Sequence, residues 1–344
     1  MNAAVEAPAS RGGDGHDPAV AAGFRDRLGP DRYYDYPAIK SPGWSWQIPA
    51  YFFTGGVAAG SYVVATLADL FGNEEDRAVS RAGRLVAFLF ILVSPVMLIV
   101  DLGRPERFHH MMRIFKSRSP MNLGTWGLTG FGAFAALGLV RQAVEDGLLG
   151  RQSLVSRALG WVPVTVSGVL GSLFAFFVGS YTGVLLAFTN VPLWAQNRLL
   201  QGPLFLASAL STGLAAIKVA LPLVGGTTAR GEAWLRRAED AVNVGELGLA
   251  AGSLLALRSQ ARPLVAGKEG SLYWPGAIGL GLALPFLLRR QEARARGPAG
   301  TALRVGTGLC TLAGGFLFRW TETRAGSKSS ADSRYYFAFS DRQE

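Results

Sequence analysis

The stretch VDLGRPERF (100–108) sets an aspartate, two arginines, a glutamate and a proline directly after a run, Leu85 to Val100, with no charged residue. Other chemically capable groups gather at comparable junctions. Trp44, Trp46, Gln47 and Tyr51 lie ahead of and within one apolar stretch, and Ser119-Pro120-Met121-Asn122 opens another. Tyr181-Thr182-Gly183 falls in the last third of a further one, followed by Pro192-Leu193-Trp194. Donors, an acid and aromatics at the level where apolar runs stop suit a quinone headgroup. Such a headgroup needs partners for two carbonyl oxygens, a proton route and an apolar entrance for its tail. Tyr181 is the sharpest signal: it sits ~8 residues, so ~12 Å, from the end of its run. A phenol there must find a buried partner. Asp101 either caps a helix, pairs with Arg104 or carries protons. His109 could pass a proton beside such a site. Trp44 and Trp46 also read as interface anchors, and Pro105 as a helix stop.

A second polar set points to the other end of the apolar runs. Asp69 ends the first run, Lys218 lies in the fifth, Glu246 in the sixth, and Arg304 opens the eighth. Lys218 and Glu246 fall at similar depth on sequential helices. The spacing predicts an ion pair between them, because buried charges pair; the alternative is the inner end of a proton path that includes Asp69. Arg141 and Arg319 stand near run ends and are expected to snorkel to the interface.

These groups must be positioned by helices in lipid. The 344 residues are 49% hydrophobic and only 17% charged, where a soluble protein has about a quarter charged. A span needs ~20 mostly apolar residues. About eight runs qualify: 47–71, 84–101, 122–143, 161–189, 203–224, 241–257, 273–288 and 301–320. The fold class is all-α, a polytopic membrane protein, since lipid admits only spans whose backbone bonds close internally. The 44 glycines fit, because small residues such as those of Gly56-Val57-Ala58-Ala59-Gly60 let helices approach. An even number of spans puts both termini on one side, together with the loops 102–121, 190–202 and 258–272. Lys and Arg are heavy on both sides, so charge does not orient the protein. The run Arg104, Arg107, Arg113, Lys116 and Arg118 is therefore free to meet an acidic partner.

Composition also excludes. The net charge of +10 comes from short loops beside spans and not from a basic domain, so nucleic acid is not a partner. None of the three histidines is inside a run, which argues against haem. The one cysteine, Cys310, holds neither zinc nor an iron–sulfur cluster alone, and no metal site is expected. Residues 1–43 read as a solvated tail without a signal peptide, and 321–344 as a C-terminal tail.

The motifs W-x-W-x-x-x-x-Y-F-F-T-G-G-V-A-A-G (44–60), D-L-G-R-P-E-R-F (101–108), S-P-M-N-L-G-T-W (119–126) and Y-T-G-V-L-L with P-L-W (181–194) resemble the polysulfide reductase membrane-subunit family, also called the NrfD family. The likeness covers the first four spans; beyond residue 200 it is span count and G-G-x-x-x-R (314–319). It implies two four-helix bundles, 44–200 with the quinone site and 201–320. It implies menaquinone or ubiquinone binding, with no haem and no iron–sulfur cluster in the protein itself. It implies a four-cluster iron–sulfur partner, a molybdopterin or other catalytic subunit, and a bacterial or archaeal inner membrane with the site facing the periplasm. Tyr181, Asp101 and Arg104 match the family's site residues, and Trp194 falls in the last motif. The family's first-helix Asn and His have no clear match, and Gln47 and Tyr51 stand nearest. A transporter or channel without redox chemistry is the competing reading, against which the two halves show no clear inverted repeat.

Overall fold

The computed structural model describes residues 39–73, 76–148, 163–226 and 228–340. Among them every regular element is helical. Among the described residues, eight helices are long and apolar enough to cross a membrane: α1 (Gln47–Phe71), α2 (Arg77–Asp101), α3 (Pro120–Glu145), α4 (Val164–Ala187), α5 (Gln201–Ala220), α6 (Ala229–Leu257), α7 (Gly267–Arg294) and α8 (Gly297–Ala331). A short α9 (Ser333–Ser340) follows. The protein is a multi-pass helical membrane protein.

Local chemistry starts and stops the spans. The Ser119 hydroxyl accepts from the Asn122 N–H and Pro120 occupies the first turn of α3, a preorganised start. Thr228 caps α6 in the same way through Gly231. The backbone reverses between α5 and α6 through Gly225 at φ 102°, a conformation that suits only glycine.

Burial sorts the helices. In the apolar window of α1 and of α5, 78% of residues are buried, against 28–44% in the other six, so these two form the centre. They cross where Gly60 meets Ala209 and Gly213; a Cβ on either glycine would strike the opposing backbone. α1 packs on α2 and α4 on one side and on α5 and α8 on the other. By contrast, α2 presents Leu89, Leu92, Val93, Val96 and Val100 outward, an apolar stripe at helical spacing.

Four spans run well beyond what hydropathy predicts. α2 begins at Arg77, α6 at Ala229, α7 covers Gly267–Arg294, and α8 covers Gly297–Ala331. The extensions carry polar residues whose needs are met inside the protein, as where Glu232 pairs with Arg304. The C-terminal tail expected from residue 321 is corrected accordingly. Thr321, Glu322, Thr323, Ser329 and Ser330 are buried on α8. The N-terminal tail lies outside the described residues up to 38.

Candidate functional site

One face of α1 carries Gln47, Tyr51 and Gly55, successive turns of the helix. Gly55 looks toward Ser94 of α2 and Val178 of α4. One turn nearer the helix end, Tyr51 is buried within electrostatic reach of Tyr181, itself one turn beyond Val178. Another turn out, Gln47 holds a buried Oε1 with no hydrogen-bond partner. On α2 the helical repeat sets Asp101 two turns beyond Ser94 on the same face, about level with Gln47. Gln47 and Tyr51 of α1, Asp101 of α2 and Tyr181 of α4 thus fall near one end of the contact between these three helices.

The packing around Tyr181 and Asp101 follows from local sequence. Tyr181 donates to the Pro120 carbonyl at the start of α3, and its ring presses on Gly124, where any Cβ would intrude. Phe177 stacks on Tyr181 at 5.1 Å and is partly exposed on the lipid-facing side. Asp101 accepts from Ser45, which settles the choice between a cap and a pair with Arg104: neither forms. Asn122 ties down the loop above, donating to the Met111 and Ile114 carbonyls at 2.7 and 3.0 Å and accepting from the Lys116 N–H at 2.7 Å. On that loop, which includes a 3-10 helix over Pro105–Met112, Arg104, Arg107, His109, Arg113, Lys116 and Arg118 are all exposed.

Other expected site residues lie elsewhere. Trp194 is fully buried, stacked on Trp44 at 5.2 Å, with its indole donating to the Glu322 carbonyl. It packs against α8 and not against Tyr181. Asp69 pairs with Arg84 at 2.6 Å, beside Gln142 and Glu145 of α3. The expected Lys218–Glu246 ion pair does not form. Lys218 instead bonds Glu239 at 2.9 Å and Glu292 at 3.3 Å. Glu246 faces the hydroxyls of Ser208 and Ser211 and lies near Arg319.

Arg319 does not snorkel. It is 1% exposed and donates to the Phe52 carbonyl (3.0 Å), Ser208 (3.1 Å) and the Gly315 carbonyl (2.9 Å). The G-G-x-x-x-R motif makes this possible. Gly314 lets α7 approach at Gly281, Gly315 gives room to Thr212, and Gly56 of α1 clears the guanidinium. Glu322 accepts from Gln201 at 3.2 Å, and Gln201 is joined through Asn197 to Ser253. Sequence reasoning left Arg319 and Glu322 out of the functional residues. The motif was the available signal, since an arginine one turn past two glycines in an apolar run has space to turn inward.

Among the described residues, eight helices long and apolar enough to cross a membrane, with an exposed basic loop between α2 and α3, define a polytopic membrane protein. The chain belongs to the polysulphide reductase NrfD family, whose model matches residues 38–326. It is 30% identical over 268 residues to the C component of polysulfide reductase from Wolinella succinogenes, covering 71% of this protein and 82% of that one. Protein NrfD of Escherichia coli is 26% identical over 287 residues, 77% of this protein and 90% of that one. The C component of selenate reductase from Mesobacillus selenatarsenatis is 23% identical over 289 residues, 71% and 66% of the two proteins.

Proposed function

We propose that the protein is the quinone-reactive membrane subunit of a respiratory oxidoreductase complex. The observation that carries this reading is the convergence of Gln47, Tyr51, Tyr181 and Asp101 beneath an exposed basic loop. Family membership supports it, as do relatives named as parts of polysulfide and selenate reductases.

The residues fit a headgroup. Gln47 Oε1, buried and unpartnered, accepts a hydroxyl hydrogen. The Tyr181 hydroxyl exchanges its bond to the Pro120 carbonyl for one to a ligand oxygen. Phe177, between lipid and Tyr181, provides the apolar side of the entrance. A bound menaquinol or ubiquinol supplies two electrons and two protons, the electrons leaving for a partner iron–sulfur protein; the reverse direction uses the same groups. Asp101, with Ser45 at its carboxylate, takes a proton at the rim, and His109 on the exposed loop passes it outward. Arg104, Arg107, Arg113, Lys116 and Arg118 form the dock for an acidic face of that partner, beyond which lies a molybdopterin or other catalytic subunit. In this reading the protein resides in a bacterial or archaeal inner membrane with the loop at the periplasmic face, and binds no haem.

Binding of a quinol analogue to the purified full-length protein tests this. Saturable binding that Tyr181→Phe weakens about tenfold or more, without loss of fold, is the expected outcome. Absence of saturable binding, or binding indifferent to Tyr181→Phe and Gln47→Ala alike, sinks it and leaves the transporter reading.

A further inference from the structure

At the end of the spans opposite the basic loop, a cavity of about 410 Å³ lies beside the turn Leu221–Val224 that follows α5. That size falls within the ~300–1,000 Å³ of small-molecule sites. Pro222 and Gly225 in its wall are exposed, so it opens outward. The charges that line it fall into two layers of opposite sign.

The outer layer is Glu232 and Arg236 of α6 with Arg304 of α8, all partly exposed. Both guanidiniums meet the same oxygen, Glu232 Oε2, Arg304 at 3.1 Å and Arg236 at 3.7 Å. Arg304 also donates to Thr301 at 3.3 Å. A guanidinium carries five N–H donors, so the pair keeps donors for a further acceptor. Two cations share one carboxylate, and the layer is net positive. Two arginine forks side by side are suited to the oxygens of a phosphate.

The deeper layer reverses the sign. Lys218 of α5 bonds Glu239 of α6 at 2.9 Å and Glu292 of α7 at 3.3 Å, and all three are buried. One cation faces two carboxylates there. Thr307 donates to Glu292, while Glu239 has lone pairs on both oxygens beyond its bonds to Lys218. An ammonium group, with three N–H donors, complements that layer. A simple anion is repelled by the deeper layer and a simple cation by the outer one. A zwitterion with phosphate outward and ammonium inward satisfies both.

The remaining wall is apolar. Leu221, Pro222 and Leu235 line the cavity, and Leu223 on the same turn is 85% exposed. The apolar run of α5 ends at this turn and that of α8 begins at residue 301, so the cavity lies at the level of lipid headgroups.

We infer that the cavity holds the headgroup of a phosphatidylethanolamine-type lipid, its phosphate on Arg236 and Arg304 and its ammonium on Glu239 and Glu292. The site lies at the other end of the spans from Tyr181 and stands whether or not a quinol binds.

Native mass spectrometry of the delipidated full-length protein, titrated with defined lipids, tests this. One phosphatidylethanolamine should be retained at least about tenfold more tightly than phosphatidylglycerol, which lacks the cation, or phosphatidylcholine, whose cation has no N–H to donate. Arg236→Gln with Arg304→Gln should abolish that preference, and Arg290→Gln, exposed on α7 outside the wall, should keep it. A second approach leaves the charges intact. On a Cys310→Ala background, a bulky maleimide on Pro222→Cys should expel the lipid, and the same label on Leu199→Cys, exposed at the other end of α5, should not. Equal retention of phosphatidylglycerol or phosphatidylcholine overturns the proposal, as does retention indifferent to both the double variant and the label at 222. Soluble phosphoethanolamine binding as tightly as the lipid assigns the site to a free ligand and also overturns it.

Discussion

Arg319 is held by three helices at once: its own, α1 through Phe52 and α5 through Ser208. Removing the charge leaves Glu246 in an uncompensated interior. Arg319→Met should therefore cost on the order of 3–5 kcal/mol in thermal or denaturant unfolding. Adding Glu246→Gln should return a measurable part of that loss, because the orphaned carboxylate is gone. Tyr181 behaves differently. Its hydroxyl makes one bond to a backbone carbonyl, so Tyr181→Phe should change stability by about 1 kcal/mol. In an assembled complex the same change should sharply lower quinol oxidation, measured as electron transfer to the partner; wild-type turnover would remove Tyr181 from the mechanism.

At the scale of elements, the α1–α5 crossing is the most sensitive contact. Gly60→Val places branched carbons against the Ala209 carbonyl, and the helices must separate. Loss of assembled protein is expected, whereas Gly132→Ala on α3, with nothing near its Cβ position, should be silent; quantified membrane yield of both variants checks this. The eight spans were legible because long apolar runs admit little else. The rim grouping was partly legible too: Gln47, Tyr51, Asp101 and Tyr181 stand out as polar groups where apolar runs end, and the helical repeat sets them near one end of α1, α2 and α4. Their neighbours were not, because Phe177, Gly124 and Ser94 carry no chemical signal until packing brings them in. The extent of α8 was misjudged for a related reason. Hydropathy scores Glu322, Ser329 and Ser330 as solvated whether or not Gln201 and the α8 backbone satisfy them. Arg319 was misplaced similarly, since depth along a helix does not say which way a long side chain turns.

At the scale of the molecule, polar chemistry is divided by α1. Its Gln47–Tyr51–Gly55 face serves the rim, and its Phe52–Gly56 face meets Arg319. The exposed basic loop gives the first side its long-range signature. Arg107→Glu with Arg113→Glu should weaken association with the partner most at low ionic strength, and the difference should fade as the screening length drops from ~30 Å toward ~8 Å. A salt-independent loss, measured by co-purification across ionic strengths, would assign those residues to folding instead. Reversing Arg294, exposed at the far end of α7, should leave association unchanged.

α7 is not an ordinary helix in its middle: Tyr273–Ala283 is wound as a π-helix. Wider winding of this kind corresponds to a surplus residue accommodated without breaking the rod. Rewinding the same residues to the common pitch would rotate everything beyond them relative to Tyr273. Glu292 would then swing away from Lys218 while Tyr273 kept its seat beside Glu246. The extra residue acts as a spacer, keeping both ends of one rod in phase with different neighbours.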